Sequence, residues 1–214
     1  MGPAPISTAF LLASLLAVAL LETAAAYLGT RVHLPRLWLI AGTRTAQMLA
    51  VMTLARIQAG GLGVLGLGKK SMLPGLGKGL VWSAGFAIAA GLLFLGLFMA
   101  GRDPLMLVRS PLPEGADQRV LFFLVGGIVA PVAEEIVFRG LIFGYLRRWG
   151  VPAAVLISTA LFAALHLPAL PITQIVGGMV FAVAYYTGRS LMVPIVIHVL
   201  GNLAIFSLSL PVFH

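Results

Sequence analysis

The sequence predicts an all-α fold, a polytopic membrane helix bundle with about seven transmembrane helices. Of its 214 residues, 60% are hydrophobic and only 9% are charged, whereas roughly 25% of a soluble domain is usually charged. The mean hydropathy is +1.07, and a chain of this size could not keep so much apolar surface out of water. These observations exclude a soluble globular domain and a disordered chain.

Seven stretches of the chain are apolar enough to be membrane spans, each of which needs about 20 such residues. Their predicted bounds are about 5–28, 37–57, 80–100, 119–148, 152–167, 169–187 and 191–212. Pro131 either kinks the fourth stretch or starts another helix there, so counts from six to eight stay open. The Gly-rich segment 58–79 is interpreted as a flexible connector. No external domain is visible, so we treat residues 1–214 as a single membrane domain.

Basic residues predict how the bundle is oriented. The net charge is +8, and with seven spans the N-terminal side holds seven Lys and Arg while the other side holds five. Because cytoplasmic loops carry an excess of Lys and Arg, we expect a cytoplasmic N-terminus. The cations are expected to face anionic headgroups rather than nucleic acid. The chain has no Cys, which excludes disulfides, thiolate metal sites and a Cys nucleophile.

Ionisable side chains inside the spans are the strongest functional signal. Each costs about 2.5–3.5 kcal/mol at the centre of a bilayer, so such residues are usually paired or functional. Glu22 and Arg44 either pair with each other or contact a substrate, and both readings stay open. The full set within the predicted spans is Glu22, Arg44, Glu134, Glu135, Arg139, His166 and His198.

The spacing of the charges on the fourth span separates two roles. Glu135 and Arg139 lie four residues apart, with the acid first, and are predicted to form a salt bridge on one helix face. Glu134 is rotated by about 100° from its neighbour, and Phe138 stands four residues after it. Glu134 therefore lacks a partner on its own helix. A carboxylate in such a place can act as a general base, unless it pairs with Arg44 or another helix.

Two further pairs of side chains complete a candidate hydrolytic set. Phe162 and His166 share one face of the fifth span, and His198 and Asn202 share one face of the seventh. Together with Glu134, these side chains supply a base, a group to orient water and hydrogen-bond donors for an oxyanion. Attack of water on an amide needs this combination. Their depths along the spans are compatible with convergence inside the membrane.

The order of these motifs carries a family resemblance. Glu-Glu-x-x-x-Arg, Phe-x-x-x-His and His-x-x-x-Asn on successive membrane helices resemble the CAAX-protease and bacteriocin-processing (CPBP) family, of the Ras-converting-enzyme type and also called Abi proteins. The resemblance covers about residues 119–212, the expected protease core, and implies an intramembrane endopeptidase of the glutamic type. The implied roles are water activation by Glu134 with His166, oxyanion binding by His198 and Asn202, bracing of Glu135 by Arg139, and packing near the site by Phe162.

The resemblance also implies what surrounds the site. We expect no metal, because the usual His-Glu-x-x-His helix is absent. Zinc is the alternative, since two His and a Glu form a known catalytic ligand set. The implied partners are the lipid bilayer and a membrane-associated peptide or protein substrate, and we expect an integral protein of the bacterial inner membrane. The alternatives are a non-catalytic immunity or scaffold protein of the same fold and a small transporter.

Overall fold

The computed structural model describes residues 5–167 and 172–210, and most of them are helical. The first four main helices in this part of the chain are long and apolar enough to cross a membrane, and the last three are shorter apolar helices. The predicted all-α polytopic bundle of about seven helices is therefore confirmed. The helices are α1 (Thr8–Arg31), α2 (Arg36–Gln58), α3 (Lys69–Met99), α4 (Ala116–Trp149), α5 (Val151–Ala164), α6 (Ile172–Gly188) and α7 (Met192–Leu208).

Helix α4 occupies the centre of the bundle. It contacts α2, α5, α6 and α7, whereas α1 packs on α2, and α3 packs on α7. The end of α4 is tied to the start of the chain, because the guanidinium of Arg148 donates to the carbonyl of Ile6. Residues on α4 are therefore the ones best placed to meet side chains from several other helices.

The backbone of α4 changes its winding on both sides of the two adjacent glutamates. Turns of π-helix at Val125–Val129 and Ile136–Phe143 flank the α-helical segment Ala130–Glu135. The helix continues through Pro131, since the residues around it keep right-handed helical dihedral angles, and no separate helix starts there. Wider turns of this kind tolerate the hydrogen bond that is missing because proline has no backbone N–H. They also occur frequently at functional sites.

Helix α3 begins at Lys69, well before its predicted start near residue 80. The interpretation of segment 58–79 as a flexible connector is therefore wrong for residues 69–79. Glycine makes this stretch suitable for close packing, because a Cβ at Gly79 would lie only 2.7 Å from the Cβ of Val196 on α7. Contact between the helices has overridden the low intrinsic helix propensity of a Gly-rich sequence.

Within the described residues, the last three helices are shorter than the hydrocarbon layer is thick. Helix α5 has 14 residues, and α6 and α7 have 17 each, which correspond to about 21–26 Å against a layer of about 30 Å. Helix ends at membrane depth expose backbone polar groups, which are tolerated only inside protein or beside water. The predicted start of the sixth span at residue 169 and the predicted end of the seventh at residue 212 lie outside the described residues.

A polar cluster joins α1 to α2. The Nη1 atom of Arg44 lies 2.8 Å from Oε2 of Glu22, and the same glutamate oxygen accepts from Nε2 of Gln47 at 2.8 Å. Arg44 also donates to the side-chain oxygen of Gln47 at 2.7 Å. Glu22 and Arg44 thus pair with each other, which was one of the two readings that the sequence left open.

Candidate active site

A fully buried ion pair on α4 underlies the candidate site. Nη1 of Arg139 lies 3.1 Å from Oε1 of Glu135, and both side chains have 0% exposure. This confirms the salt bridge predicted from their spacing. Nη2 of Arg139 also donates to the carbonyl of Gly178 on α6 at 3.2 Å, so the pair ties two helices together.

Aromatic rings complete the surroundings of the Arg139 guanidinium. Its central carbon lies 4.7 Å from the ring centroid of Phe162 and 5.2 Å from that of Phe181. Both distances lie within the range of cation–π attraction. In this water-poor position the positive charge is therefore stabilised by one carboxylate, one carbonyl and the faces of aromatic rings.

His198 on α7 binds the same carboxylate and is oriented by it. Its Nδ1 lies 2.8 Å from Oε1 of Glu135. Since Glu135 is paired with Arg139, the carboxylate is ionised and can only accept, which means that Nδ1 of His198 carries the hydrogen. The other ring nitrogen, Nε2, consequently points away from the ion pair and lies 3.8 Å from Oε2 of Glu134.

The imidazole of His198 is also clamped by two aromatic side chains. It stacks on Phe181 with ring centroids 4.6 Å apart and planes at 20°, and it meets Phe162 edge-on at 5.9 Å. Phe181 was not among the residues predicted from the sequence. In the sequence, the neighbouring pair Gly177-Gly178 was the available signal that this part of α6 packs closely against another helix. The structure shows this contact, because a Cβ at Gly178 would lie 2.9 Å from Cγ2 of Thr159 on α5.

Glu134, unlike Glu135, is partly exposed at the protein surface. Its side chain is 22% exposed, and its separation of 3.8 Å from Nε2 of His198 is longer than a hydrogen bond. Arg44, the alternative partner considered for Glu134, is bound to Glu22 instead. The arrangement leaves Glu134 close to an imidazole without a direct hydrogen bond between them.

His166 lies just beyond the C-terminal end of α5. Its Nδ1 donates to the carbonyl of Phe162 at 2.9 Å, and its ring packs edge-on against the Phe162 ring with centroids 5.0 Å apart. This leaves Nε2 as the nitrogen that can meet another group. In the part of the chain that the structure describes, His166 and Glu134 form neither a hydrogen bond nor an ion pair; Phe162 connects His166 to His198.

Asn202 lies on α7, one helical turn after His198. Its Nδ2 donates to the carbonyl of Gly126 at 2.9 Å, within the first π-helical segment of α4. This hydrogen bond holds the carboxamide against α4 but two turns away from Glu134 along that helix. The structure thus brings Glu134 and His198 within 3.8 Å of each other. His166 is linked to His198 through the Phe162 ring, and Asn202 is held by Gly126.

The described residues contain no group of three or more His, Cys, Asp or Glu side chains that could hold a metal ion. Glu134 and His198 are two potential zinc donors that lie near each other. Nδ1 of His198 is already bound to Glu135, so a metal would have to use its Nε2. We find no third donor beside them in the described ranges.

Comparison with known proteins bears on the segment that contains this site. Residues 116–204 match the family model described as "Type II CAAX prenyl endopeptidase Rce1-like", a family of CAAX-type intramembrane proteases. Neither the search of curated proteins nor the search of solved structures gave a match. The matched segment includes α4 to α6 and most of α7, and with them every predicted site residue. The match over residues 116–204 therefore supports the CAAX protease branch of the CPBP proteins as the family of this segment.

Proposed function

We propose that this protein is an intramembrane endopeptidase in which Glu134 activates a water molecule to hydrolyse a peptide bond. The observation that carries the proposal is the relation of Glu134 to His198. The carboxylate lies 3.8 Å from an imidazole nitrogen whose direction is fixed by a buried ion pair. A partly exposed carboxylate beside an imidazole of fixed direction is suited to accept a proton from water next to the group that would bind the oxyanion.

The proposed reaction begins with water held between Glu134 and His166. Glu134 takes a proton as the water oxygen adds to the carbonyl carbon, and the proton then passes to the amine as the C–N bond breaks. His166 supports this role because Nδ1 is occupied by the carbonyl of Phe162, which leaves Nε2 for water. Such contacts often tighten only when substrate is bound.

The oxyanion formed on the carbonyl is assigned to His198 and Asn202. Since Nδ1 of His198 donates to Glu135, the ring can donate through Nε2 only when both nitrogens carry hydrogen. We propose that Glu135 and Arg139 hold the ring in the direction needed for this contact. Asn202 would release or share its bond to Gly126 when substrate enters. Donors aimed at developing negative charge are commonly worth a factor of about 10²–10³ in rate.

The short α5 supports access of water to this site. With a length of about 21 Å, it ends inside a hydrocarbon layer about 30 Å thick, and His166 follows directly after that end. Polar backbone at this depth must face protein or water. Water near His166 would reach Glu134 without crossing lipid.

We propose that the reaction needs no metal, with zinc as the alternative. The donor set supports this choice, because a catalytic zinc site uses three protein ligands and the described residues bring no third His, Asp or Glu donor beside Glu134 and His198. Purified active protein is expected to keep its cleavage activity after chelation and dialysis. Loss of activity that zinc restores would replace this part of the proposal with zinc catalysis.

The substrate is proposed to be a membrane-associated protein or peptide, cleaved near or within the bilayer. The chain is an integral membrane protein by its apolar helices and its family. We further propose the bacterial inner membrane as its location, with a cytoplasmic N-terminus, as the distribution of basic residues predicts.

The test compares peptide termini in membranes from cells that carry the wild type, Glu134→Gln or the control Glu114→Gln. Glu114 is an exposed acid before α4, so its replacement removes the same charge away from the site. We expect new termini with the wild type and the control, and a loss of about 10²–10⁴-fold in their formation with Glu134→Gln.

Protein levels are measured in the same membranes. Equal formation of the new termini by Glu134→Gln and the wild type would overturn the role of Glu134. Absence of new termini from all three, at equal protein levels, would favour the non-catalytic scaffold of the same fold.

A further inference from the structure

An apolar groove of about 390 Å³ lies between α3 and α6, and its lining includes none of the site residues. It is lined by Val81, Trp82, Gly85, Phe86, Ala89 and Val180. The five residues from α3 recur at intervals of one, three and four, so they form one face of that helix over about 12 Å. The size and lining of this groove are suited to a hydrocarbon chain rather than to a polar ligand.

A cation stands at one end of this groove. Lys78 lies one helical turn before Val81 and Trp82, and its Nζ is 3.4 Å from the carbonyl of Gly188 at the end of α6. Arg189 follows Gly188 and is exposed. A single carbonyl does not neutralise an ammonium group, so Lys78 keeps both its charge and further donors for an anion.

The surrounding end of the bundle is uniformly basic. It contains the end of α2, the start of α3, the end of α4 and the turn between α6 and α7, and its described residues include no Asp or Glu. The opposite end combines five Arg with the acids Asp103, Glu114 and Asp117. The cations of the basic end are Arg56, Lys69, Lys70, Lys78, Arg147, Arg148 and Arg189.

We propose that this groove is a binding site for an anionic phospholipid. One acyl chain lies along the α3 face beside Trp82, and the phosphate is held at Lys78 and Arg189. Charge complementarity selects an anionic lipid over a zwitterionic one, because no acid at this end offsets the cations. The apolar lining selects a lipid over a soluble phosphate.

The site has a structural link to the catalytic side of the bundle. Val180 and Trp82 pack against the buried cluster that contains Phe181 and Ile197, and Phe181 stacks on the ring of His198. A bound acyl chain would therefore fill the space behind Phe181. Its presence is expected to support the position of His198, although the lipid site itself does not depend on proteolysis.

The experiment uses the fluorescence of Trp82 in the full chain. The other two tryptophans are replaced through Trp38→Phe and Trp149→Phe, and the protein is reconstituted into phosphatidylcholine vesicles. Lipids with brominated acyl chains, which quench nearby tryptophan, are added either as phosphatidylglycerol or as phosphatidylcholine. We expect brominated phosphatidylglycerol to quench Trp82 at a several-fold lower fraction of the total lipid than brominated phosphatidylcholine does.

Variants assign this preference to the groove. Lys78→Gln is expected to lower it by about five-fold, the contribution of one basic residue at an anionic surface, whereas Lys78→Arg should retain it. Lys69→Gln is the matched control, since Lys69 stands nine residues earlier and faces the opposite side of α3. Equal quenching by the two lipids in the parent protein would overturn the proposal. A preference that survives in Lys78→Gln, or that Lys69→Gln removes to the same extent, would also overturn it.

Discussion

Two Arg–Glu ion pairs within the predicted spans are built in opposite ways. Glu22 and Arg44 join α1 to α2 with side chains that are 55% and 31% exposed on the surface of the protein. Glu135 and Arg139 lie on one helix with 0% exposure for both. The first pair is outside the family segment 116–204, and the second is inside it.

The difference lies in what each pair supports. The exposed pair is bridged by Gln47 and holds two neighbouring helices at one point. The buried pair contacts α6 through Gly178 and α7 through His198, and aromatic rings cover it. After loss of its partner, Glu22 or Arg44 would keep a hydrogen bond to Gln47 and could change position, whereas the enclosed side chains of Glu135 and Arg139 could not move. We infer that the buried pair is part of the working site and that the exposed pair mainly joins α1 to α2.

The largest difference in stability is expected when one member of each ion pair is replaced. Arg139→Leu leaves the fully buried Glu135 carboxylate with His198 as its remaining partner and should lower the free energy of unfolding by about 3–5 kcal/mol. Arg44→Leu is the matched control and should cost less, because Glu22 keeps its bond to Gln47 and is not enclosed by protein, so its side chain can move to a new position. Denaturant unfolding in one detergent measures both variants. Equal losses for the two arginines would remove the distinction between the pairs.

Close packing around the buried pair gives a smaller effect. Gly178→Ala would place a Cβ 2.9 Å from Thr159 and 3.4 Å from Nη2 of Arg139, so we expect a loss of about 1–3 kcal/mol together with lower cleavage activity. Gly201→Ala on α7 is the control, since nothing lies within 4 Å of its Cβ position. Thermal unfolding and cleavage rates of the two variants test this. A Gly178→Ala protein as stable as the control would show that the α4–α6 contact is loose.

The smallest effect is expected when both members of the exposed pair are removed. Replacement of Glu22 and Arg44 together by Leu leaves no lone charge, and exchanging an ion pair for apolar residues is often close to neutral. Gln47 keeps its hydrogen bond to the carbonyl of Val18. We expect stability within about 1 kcal/mol of the wild type and unchanged cleavage. Loss of cleavage with stability retained would instead assign this pair to substrate contact.

The contacts that could be predicted from the sequence are those that helix geometry dictates. The Glu135–Arg139 salt bridge follows from a separation of four residues, whatever surrounds the helix. The pairing of Glu22 with Arg44 was one of two readings left open, because few charges in these spans have an opposite charge to meet. The start of α3 at Lys69 was not predictable, since the packing of its glycines against α7 decides whether that stretch is helical.

The amino-acid sequence by itself determined the membrane class, the approximate number of helices and which polar residues had to be accounted for. Apolar length and the cost of buried charge are local properties, so composition and spacing report them. Only the tertiary structure decided that Glu135 binds His198, that Phe181 stacks on that ring and that Asn202 is held by Gly126. These contacts join different helices, and the rotation and depth of one helix against another depend on how all their side chains pack.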